Sequence, residues 1–337
     1  MKKSIIYLTL IAILLACSNK KEKPMNEITA NNIVDKINEQ VKRYPKEPYY
    51  YFYVGNSLCV YEILINDFPI QKSFKYEQQA TPIYINYGIV KSGKQKVTYR
   101  IYPAPTEYNG GKDVFDPETQ FDVEVYVNDN ARGLQIGEET LITEYKAPTK
   151  IRMAGSNSDI ALKEFEGKGQ KYYEHSFYFN AEVPYQILDW SLGQDLTKLN
   201  QKDLEKSVVA FYLERRKEIE DKNYDAIASR VYTPLKEQFK SEYSDKNEIK
   251  KGWSELFKSF SNPSYKLQPF ENYKMVFYGD GRMVALEQKN IDDIRLRGQS
   301  ALWGKFKDEN GSTRGDFNGI ILYLPQGKGL NELQVIR

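Results

Sequence analysis

The spacing of hydrophobic positions changes three times along this chain. Over residues 31–44 apolar side chains recur every three or four positions, which predicts one amphipathic helix that ends before Pro45. From residue 49 to residue 179 the apolar runs are short and rich in Tyr, Val and Ile, with turn-forming residues between them. This pattern predicts seven strands, over residues 49–54, 58–65, 83–90, 97–102, 121–127, 141–145 and 172–179. The helix is expected to pack against the domain that these strands form.

Helical spacing returns after residue 200. Asn200 is a candidate N-cap for a helix whose apolar face runs from Leu204 to Ile219, and helical spacing continues over residues 224–231. Pro234 is expected to begin a further helix, because proline lacks an N–H that the first turn would leave unpaired. A last helix is predicted over residues 249–260, and strands follow it, with hairpin turns at residues 279–281 and 308–311.

This order of elements predicts an α+β protein of two domains. Residues 31–195 are assigned to the amphipathic helix and an antiparallel β-sandwich, and residues 196–337 to an α+β domain. Residues 63–95 resemble the strands and turns of bacterial Ig-like or jelly-roll modules. Residues 200–337, including the run KNYDAIASRVY, resemble the NTF2-like fold in the order of their elements. That second resemblance implies a curved sheet around a helix with a cone-shaped cavity, whose candidate lining residues are Tyr273, Glu287, Arg295 and Trp303.

The first seventeen residues have the pattern of an export signal. Lys2 and Lys3 precede an apolar run over residues 5–16, which is well short of the roughly 20 residues that a membrane-crossing helix needs. The run closes with Leu14-Leu15-Ala16-Cys17, which resembles the lipobox of bacterial lipoproteins. The resemblance implies that residues 1–16 are a cleaved signal peptide, that the Cys17 thiol is lipidated and that residues 17–30 are the lipidated tether. A secreted protein without lipid is the alternative.

The residues after Cys17 bear on location. Two or more lipid chains give a lasting membrane anchor. Ser18 stands where an aspartate tends to retain lipoproteins at the inner membrane, and the basic tether lacks the acidic tag usual in surface-exported lipoproteins of the Bacteroidota. The chain is therefore expected in the cell envelope, at the outer membrane and facing the periplasm.

Charge and composition argue against nucleic acid and against catalysis. Without Lys2 and Lys3 the numbers of basic and acidic residues are equal, whereas nucleic-acid binding needs clustered excess Lys and Arg. The single histidine, His175, alternates with aromatic residues of a predicted strand and is interpreted as a core or rim side chain. Cys59 is interpreted as a small buried hydrophobe. There is no nucleophile elbow, P-loop or dinucleotide fingerprint. We therefore predict no catalytic residue, no metal and no cofactor, although nothing in the spacing excludes a glycosidase-like pair of acids.

Aromatic residues are the remaining binding signal. Tyr49, Tyr51 and Tyr53 share one face of a predicted strand and form a candidate binding surface, unless the helix over residues 31–44 covers them. The expected anchor and the missing catalytic groups favour a lipid-anchored, non-catalytic binding protein of the bacterial envelope. Its expected partner is a protein, either a toxin that it captures as an immunity protein or an envelope protein. A carbohydrate-binding or carbohydrate-active lipoprotein is the alternative, and a structural envelope component is a third interpretation.

Overall fold

The computed structural model of the protein describes residues 27–78, 81–133, 137–154, 160–290 and 292–337. The predicted signal peptide, the predicted lipid site Cys17 and most of the predicted tether lie outside these ranges. Within them, no helix combines the length and the apolar character that a membrane crossing requires.

The described ranges contain four α-helices and seventeen strands. In chain order these are α1 (Ile33–Asn38), β1 (Pro48–Ser57), β2 (Cys59–Ile65), β3 (Phe68–Ser73), β4 (Ile83–Tyr84), β5 (Gly93–Pro103), β6 (Gln120–Asp129), β7 (Thr140–Lys146), β8 (Thr149–Met153), β9 (Ala161–Phe165), β10 (Tyr173–Ala181), α2 (Gln201–Glu220), α3 (Tyr224–Ser241), α4 (Lys246–Lys258), β11 (Lys266–Leu267), β12 (Tyr273–Tyr278), β13 (Met283–Gln288), β14 (Trp303–Lys307), β15 (Thr313–Phe317), β16 (Leu322–Tyr323) and β17 (Gln334–Val335). All strand pairings among them are antiparallel. The prediction of an α+β class rich in antiparallel strands is confirmed.

Two four-stranded sheets pack face to face in the first half of the chain. Their strand orders are β4-β1-β6-β7 and β10-β5-β2-β3. The ring of Phe121 on β6 lies 5.3 Å from that of Tyr61 on β2 and 4.9 Å from that of Tyr99 on β5, between centroids. Phe121, Val123 and Val125 are at most 2% exposed. The strict alternation along β6 therefore identifies its core face correctly. We call these two sheets the two-sheet region.

The strand predicted over residues 83–90 is wrong beyond Tyr84. β4 ends there, and a 3₁₀ turn covers Asn86–Gly88. The Asn86 side chain is buried; it accepts a hydrogen bond from the backbone N–H of Tyr50 and donates to the carbonyls of Pro48 and Ser241. Because the Asn86 side chain makes hydrogen bonds with these buried backbone groups, they are paired although β4 does not continue beyond Tyr84.

Three strands of this half are absent from the sequence-based prediction. β3 contains Pro69 and lies at a sheet edge, where a proline is tolerated. Asn66 and Asp67 have φ values of 51° and 61°, so they form the tight turn that joins β2 to β3. β8 and β9 pair only with each other and are largely exposed. Without a buried face, such a hairpin has no hydrophobic alternation to detect.

The three long helices begin at side-chain caps. Asn200 accepts hydrogen bonds from two backbone N–H groups at the start of α2, as the sequence predicts, and Asp245 forms a capping box with Glu248 at the start of α4. The prediction that Pro234 begins a helix is wrong, because α3 continues through it. Pro234 is buried, and tertiary packing offsets the backbone hydrogen bond that it removes.

The first helix is shorter than predicted and packs on an unexpected partner. α1 ends at Asn38, and its buried residues Ile33 and Ile37 pack against α3 and α4. The indole N–H of Trp253 on α4 donates to the carbonyl of Ala30 at 3.2 Å. The expectation that this helix packs on the strands that follow it is therefore wrong. Amphipathic spacing marks an apolar face and says nothing about which partner covers it.

The second half of the chain holds α2 to α4 and two further sheets, β11-β14-β15 and β12-β13-β16-β17. We call this half, together with α1, the helical region. The hydroxyl of Tyr212 on α2 donates to the Ile320 carbonyl at 2.8 Å and accepts from the Leu286 N–H at 2.9 Å, which ties α2 to the sheet. Tyr243, Met283 and other residues of this region belong to the same hydrophobic core as the two packed sheets. The two regions are therefore continuous in their packing.

Candidate binding sites

Five tyrosines from three strands lie together on the outer face of one sheet. The residues that alternate with Tyr49, Tyr51 and Tyr53 along β1 are buried between the sheets, so these three point to the opposite face. Tyr51 is directly opposite Tyr84 on β4 and Tyr126 on β6. We call this set, Tyr49, Tyr51, Tyr53, Tyr84 and Tyr126, the tyrosine face. The three predicted residues are thus brought together, with two more beside them.

The rings of the tyrosine face contact one another. The Tyr51 ring stacks on that of Tyr126, with centroids 5.8 Å apart and planes at 11°, and meets the rings of Tyr53 and Tyr84 at 5.6 and 6.1 Å. The ring of Tyr49 lies 4.9 Å from that of Tyr84. Burial raises the pKa of Tyr51 above its ordinary value, so its hydroxyl stays protonated. The result is a rigid aromatic platform built on strands.

This platform is open at its rim. Tyr51 at the centre is 6% exposed and Tyr84 at the edge is 41% exposed. The burial of Tyr51 comes from the neighbouring rings, since α1 packs against α3 and α4 instead. The alternative in which the first helix covers these tyrosines is therefore wrong. Exposed tyrosines in such a cluster offer both an apolar ring and a polar hydroxyl to a ligand.

Carboxylates border the tyrosine face on β6 and β7. Glu124 accepts a hydrogen bond from the hydroxyl of Tyr126 at 3.1 Å and is opposite Glu144 in register. Asp122 lies two residues away along β6, and its pKa is raised by burial and by the charge of Glu124. Lys146 pairs with Glu144 at 2.6 Å. These four charged side chains have three negative charges and one positive, so this border is acidic and attracts cationic groups.

Sequence reasoning identifies the outward face of β1 and misses Tyr84 and Tyr126. Tyr126 alternates with buried valines in a correctly predicted strand, so its outward direction is present in the sequence. Its position beside Tyr51 depends on strand pairing between residues 75 positions apart, which local periodicity does not encode.

The four candidate cone residues are not brought together. Tyr273 on β12 stacks on Phe270 at 5.2 Å, and Trp303 on β14 stacks on Phe317 at 5.3 Å. Arg295 is exposed and pairs with Asp293 through two hydrogen bonds. The fourth residue, Glu287, is buried in a charged network. Three of these side chains therefore make separate local contacts, and the fourth joins the two regions of the molecule.

Glu287 is one end of a row of charges that crosses between the regions. The ammonium of Lys72 on β3 donates to Glu287, to the hydroxyl of Tyr278 at 2.8 Å and to the carbonyl of Gly298 at 3.1 Å. The Tyr278 hydroxyl donates to the same Glu287 oxygen. Three charges of alternating sign continue the row across the sheet: Glu62, Arg100 and Glu174. The row pairs charges of opposite sign between the two regions and along the adjoining sheet.

Cys59 and His175 lie in different environments. Cys59 is fully buried, and burial raises the pKa of its thiol to about 12. Its Sγ donates to the Gln120 carbonyl at 3.3 Å. His175 is exposed, which fits the rim placement and not the core placement, and its ring stacks on that of Tyr145 with centroids 5.3 Å apart.

A separate cavity of about 530 Å³ lies between the two regions. Phe68 and Tyr87 line it from the two-sheet region, and residues of α2, α3 and α4 line it from the helical region. Three arginines are on its wall: Arg215, Arg230 and Arg337. We call it the arginine cavity. None of the four candidate cone residues lines it.

Within the described residues, no group of three or more His, Cys, Asp or Glu side chains is placed to hold a metal ion. Comparison of the chain with family models, with curated proteins and with solved structures gave no match.

Proposed function

We propose that the protein is a non-catalytic binding protein that is anchored by lipid at Cys17 and captures a protein partner on its tyrosine face. The proposed location is the outer membrane, facing the periplasm. The proposed fold is an Ig-like or jelly-roll-like sandwich followed by an NTF2-like domain. Two packed antiparallel sheets and a helical region with late strands support this assignment.

The tyrosine face is the observation on which the binding function depends. Five rings held on three strands form a contact surface that loses little side-chain entropy when a partner binds. Tyrosine is enriched among the residues that dominate the energy of protein interfaces. Asp122, Glu124 and Glu144 beside it favour a partner that presents Lys or Arg. A toxin with a basic surface is such a partner, and the protein would then be its immunity protein.

The test compares variants of the face in one capture experiment. The full chain is purified from envelope extracts as wild type, as Tyr84→Ala/Tyr126→Ala and as Tyr178→Ala. Tyr178 is the matched control, because it is 51% exposed and lies on β10 in the other sheet. We expect one partner to be retained by the wild type and by the control and lost by the double variant. Equal retention by all three chains would refute the assignment to this face.

The proposed anchor has its own test. Replacement of Cys17 removes the only site in the lipobox that takes the lipid. We expect the wild type in the membrane fraction after carbonate washing and Cys17→Ala in the soluble or secreted fraction. Wild-type chain that washes off the membrane would contradict lipid anchoring.

A glycan is the second candidate ligand of the same face. The exposed rim at Tyr84 can stack on a sugar ring, while the carboxylate of Glu124 can accept hydrogen bonds from sugar hydroxyls. Glycan arrays probed with the wild type and with Tyr84→Ala separate the two ligands. Binding to one glycan class that is lost in Tyr84→Ala would favour the glycan, whereas array silence together with a captured protein would favour the protein partner.

A further inference from the structure

The arginine cavity has the size and the wall of a small-molecule site. Its volume of about 530 Å³ lies within the roughly 300–1,000 Å³ that is usual for such sites. Most of the wall is apolar, with Tyr87 and Phe68 on one side and Leu235, Leu256 and Ile321 among the residues on the other. A ligand that fills this space must therefore be largely apolar itself.

One buried cation on this wall lacks adequate partners. Arg215 on α2 is 3% exposed, and among the described residues its guanidinium donates one hydrogen bond, from Nη2 to Asn318 Oδ1 at 3.4 Å. Its Nη1 has no hydrogen-bond partner. A guanidinium has five N–H donors, and burying them without acceptors is costly. Burial accordingly lowers the pKa of Arg215.

The nearest carboxylate is already engaged by a second arginine. Glu218 Oε2 lies 3.5 Å from Arg215 Nη1, a distance that gives an ion pair without a hydrogen bond. The other oxygen of Glu218 accepts from Nε and Nη2 of Arg230, at 2.8 and 2.6 Å. Glu214, which also pairs with Arg230, has a side chain that is 68% exposed. One buried carboxylate thus serves two guanidinium groups.

The remaining charges of the wall do not compensate Arg215. Asp316 accepts a hydrogen bond from the Tyr265 hydroxyl, and Glu255 is exposed and pairs with Lys258. Neither carboxylate is within 4.0 Å of a nitrogen of Arg215. Arg337, on the same wall, donates only to backbone carbonyls, those of Tyr87, Leu188 and Ile336. The described contacts therefore leave Nη1 of Arg215 without an acceptor at the wall of a largely apolar cavity.

We propose that the arginine cavity binds a small amphiphile with one carboxylate, whose apolar body fills the cavity and whose oxygens accept N–H groups of Arg215. A carboxylate matches the planar fork of a guanidinium. One carboxylate would supply the acceptor that Nη1 of Arg215 lacks. This site is independent of the tyrosine face, so its failure leaves the proposed function in place.

The test measures binding of dodecanoate by titration calorimetry to the full chain carrying Cys17→Ala. Dodecanol is the uncharged probe of equal length. Arg215→Gln removes the proposed contact, and Arg216→Gln is the matched control, since Arg216 is the next residue of α2, pairs with Glu220 and does not line the cavity. We expect dodecanoate to bind at one site of the wild-type cavity. Dodecanol should bind at least about tenfold more weakly, and so should dodecanoate to Arg215→Gln, whereas Arg216→Gln should bind dodecanoate with unchanged affinity.

Several outcomes overturn the proposal. Equal binding of dodecanoate and dodecanol would assign no role to the carboxylate, and absence of dodecanoate binding would remove the ligand class. Tighter binding of dodecyl phosphate than of dodecanoate would show that the cavity prefers a head group with two negative charges. Undiminished binding to a folded Arg215→Gln chain would place the ligand elsewhere. If that variant does not fold, the comparison of the two probes on the unchanged cavity decides the question.

Discussion

Replacement of Lys72 by methionine is expected to lower the free energy of unfolding by about 3 kcal/mol. The substitution keeps the length and most of the apolar stem of the side chain and removes its charge. Among the described residues, it leaves the Glu287 carboxylate, which is 6% exposed, with the Tyr278 hydroxyl as its one remaining hydrogen-bond donor. The carbonyl of Gly298 also loses its contact with the ammonium.

The magnitude follows from the burial of the pair. Removal of one partner of a buried ion pair costs about 3–5 kcal/mol, because the remaining charge is left uncompensated. The Lys72 side chain is 16% exposed, so some water reaches the site, and the lower end of that range applies. Glu287→Gln is expected to cost less, since Lys72 keeps its bonds to Tyr278 and Gly298. The double variant should show a coupling of about 2 kcal/mol between the two sites.

The assay is equilibrium urea unfolding of the chain in a Cys17→Ala background, followed by tryptophan fluorescence and by far-ultraviolet circular dichroism. The midpoints can be compared when both probes give the same unfolding transition and when the dependence of the free energy of unfolding on urea concentration is unchanged. Lys75→Met is the control, because Lys75 forms an ion pair with Glu77 in which the two side chains are 74% and 51% exposed. A Lys72→Met chain that unfolds at the same midpoint as Lys75→Met would refute the argument that this row of charges joins the two regions.

Three further predictions concern single buried positions. Burial raises the pKa of Glu242 to about 7, so between pH 4.5 and pH 7 the native state holds a proton that the unfolded chain has released. The free energy of unfolding should therefore rise as the pH falls from 7 to 4.5, by at most about 3 kcal/mol. Urea titrations at both pH values should show a smaller pH dependence for Glu242→Gln. The buried thiol of Cys59 should not react with a maleimide at pH 8 until urea unfolds the chain, and rapid labelling of the native protein would contradict its burial. Gly279 has a φ of +60°, and a Cβ there would lie 2.7 Å from Trp190 and 2.8 Å from Met283. Gly279→Ala should therefore lower the free energy of unfolding by about 1–3 kcal/mol. An unchanged melting temperature would show that the turn can relax.

Local patterns account for much of the strand structure in both regions. The alternation along β6 identifies its inward face, and the turn at residues 279–281 is a hairpin between β12 and β13 because its glycines adopt positive φ values. The same reasoning predicts which face Tyr49, Tyr51 and Tyr53 share, since a strand has a period of two. These features depend on neighbours within a few residues.

Features that depend on contacts between residues far apart in the chain were not predicted, because local sequence patterns do not encode such contacts. The partners of α1 are α3 and α4, which begin 191 and 213 residues after its first residue. Helix α3 continues through Pro234 because its packing outweighs a local preference. The arginine cavity is lined by Phe68, Arg215 and Arg337, which no local motif connects. The sequence also does not reveal that Glu287 pairs with Lys72, because that contact joins residues 215 positions apart in different regions of the molecule.

The attachment of α1 to α3 and α4 determines how force would pass through the molecule. If Cys17 is held in a membrane, tension along the segment after it would enter through the contacts of Ala30 and Ile33 with the helical region. A partner pulling on the tyrosine face would apply the opposing load to β1, in the two-sheet region. The shared hydrophobic core and the Lys72 contacts both join the two regions, so they would carry this load in parallel.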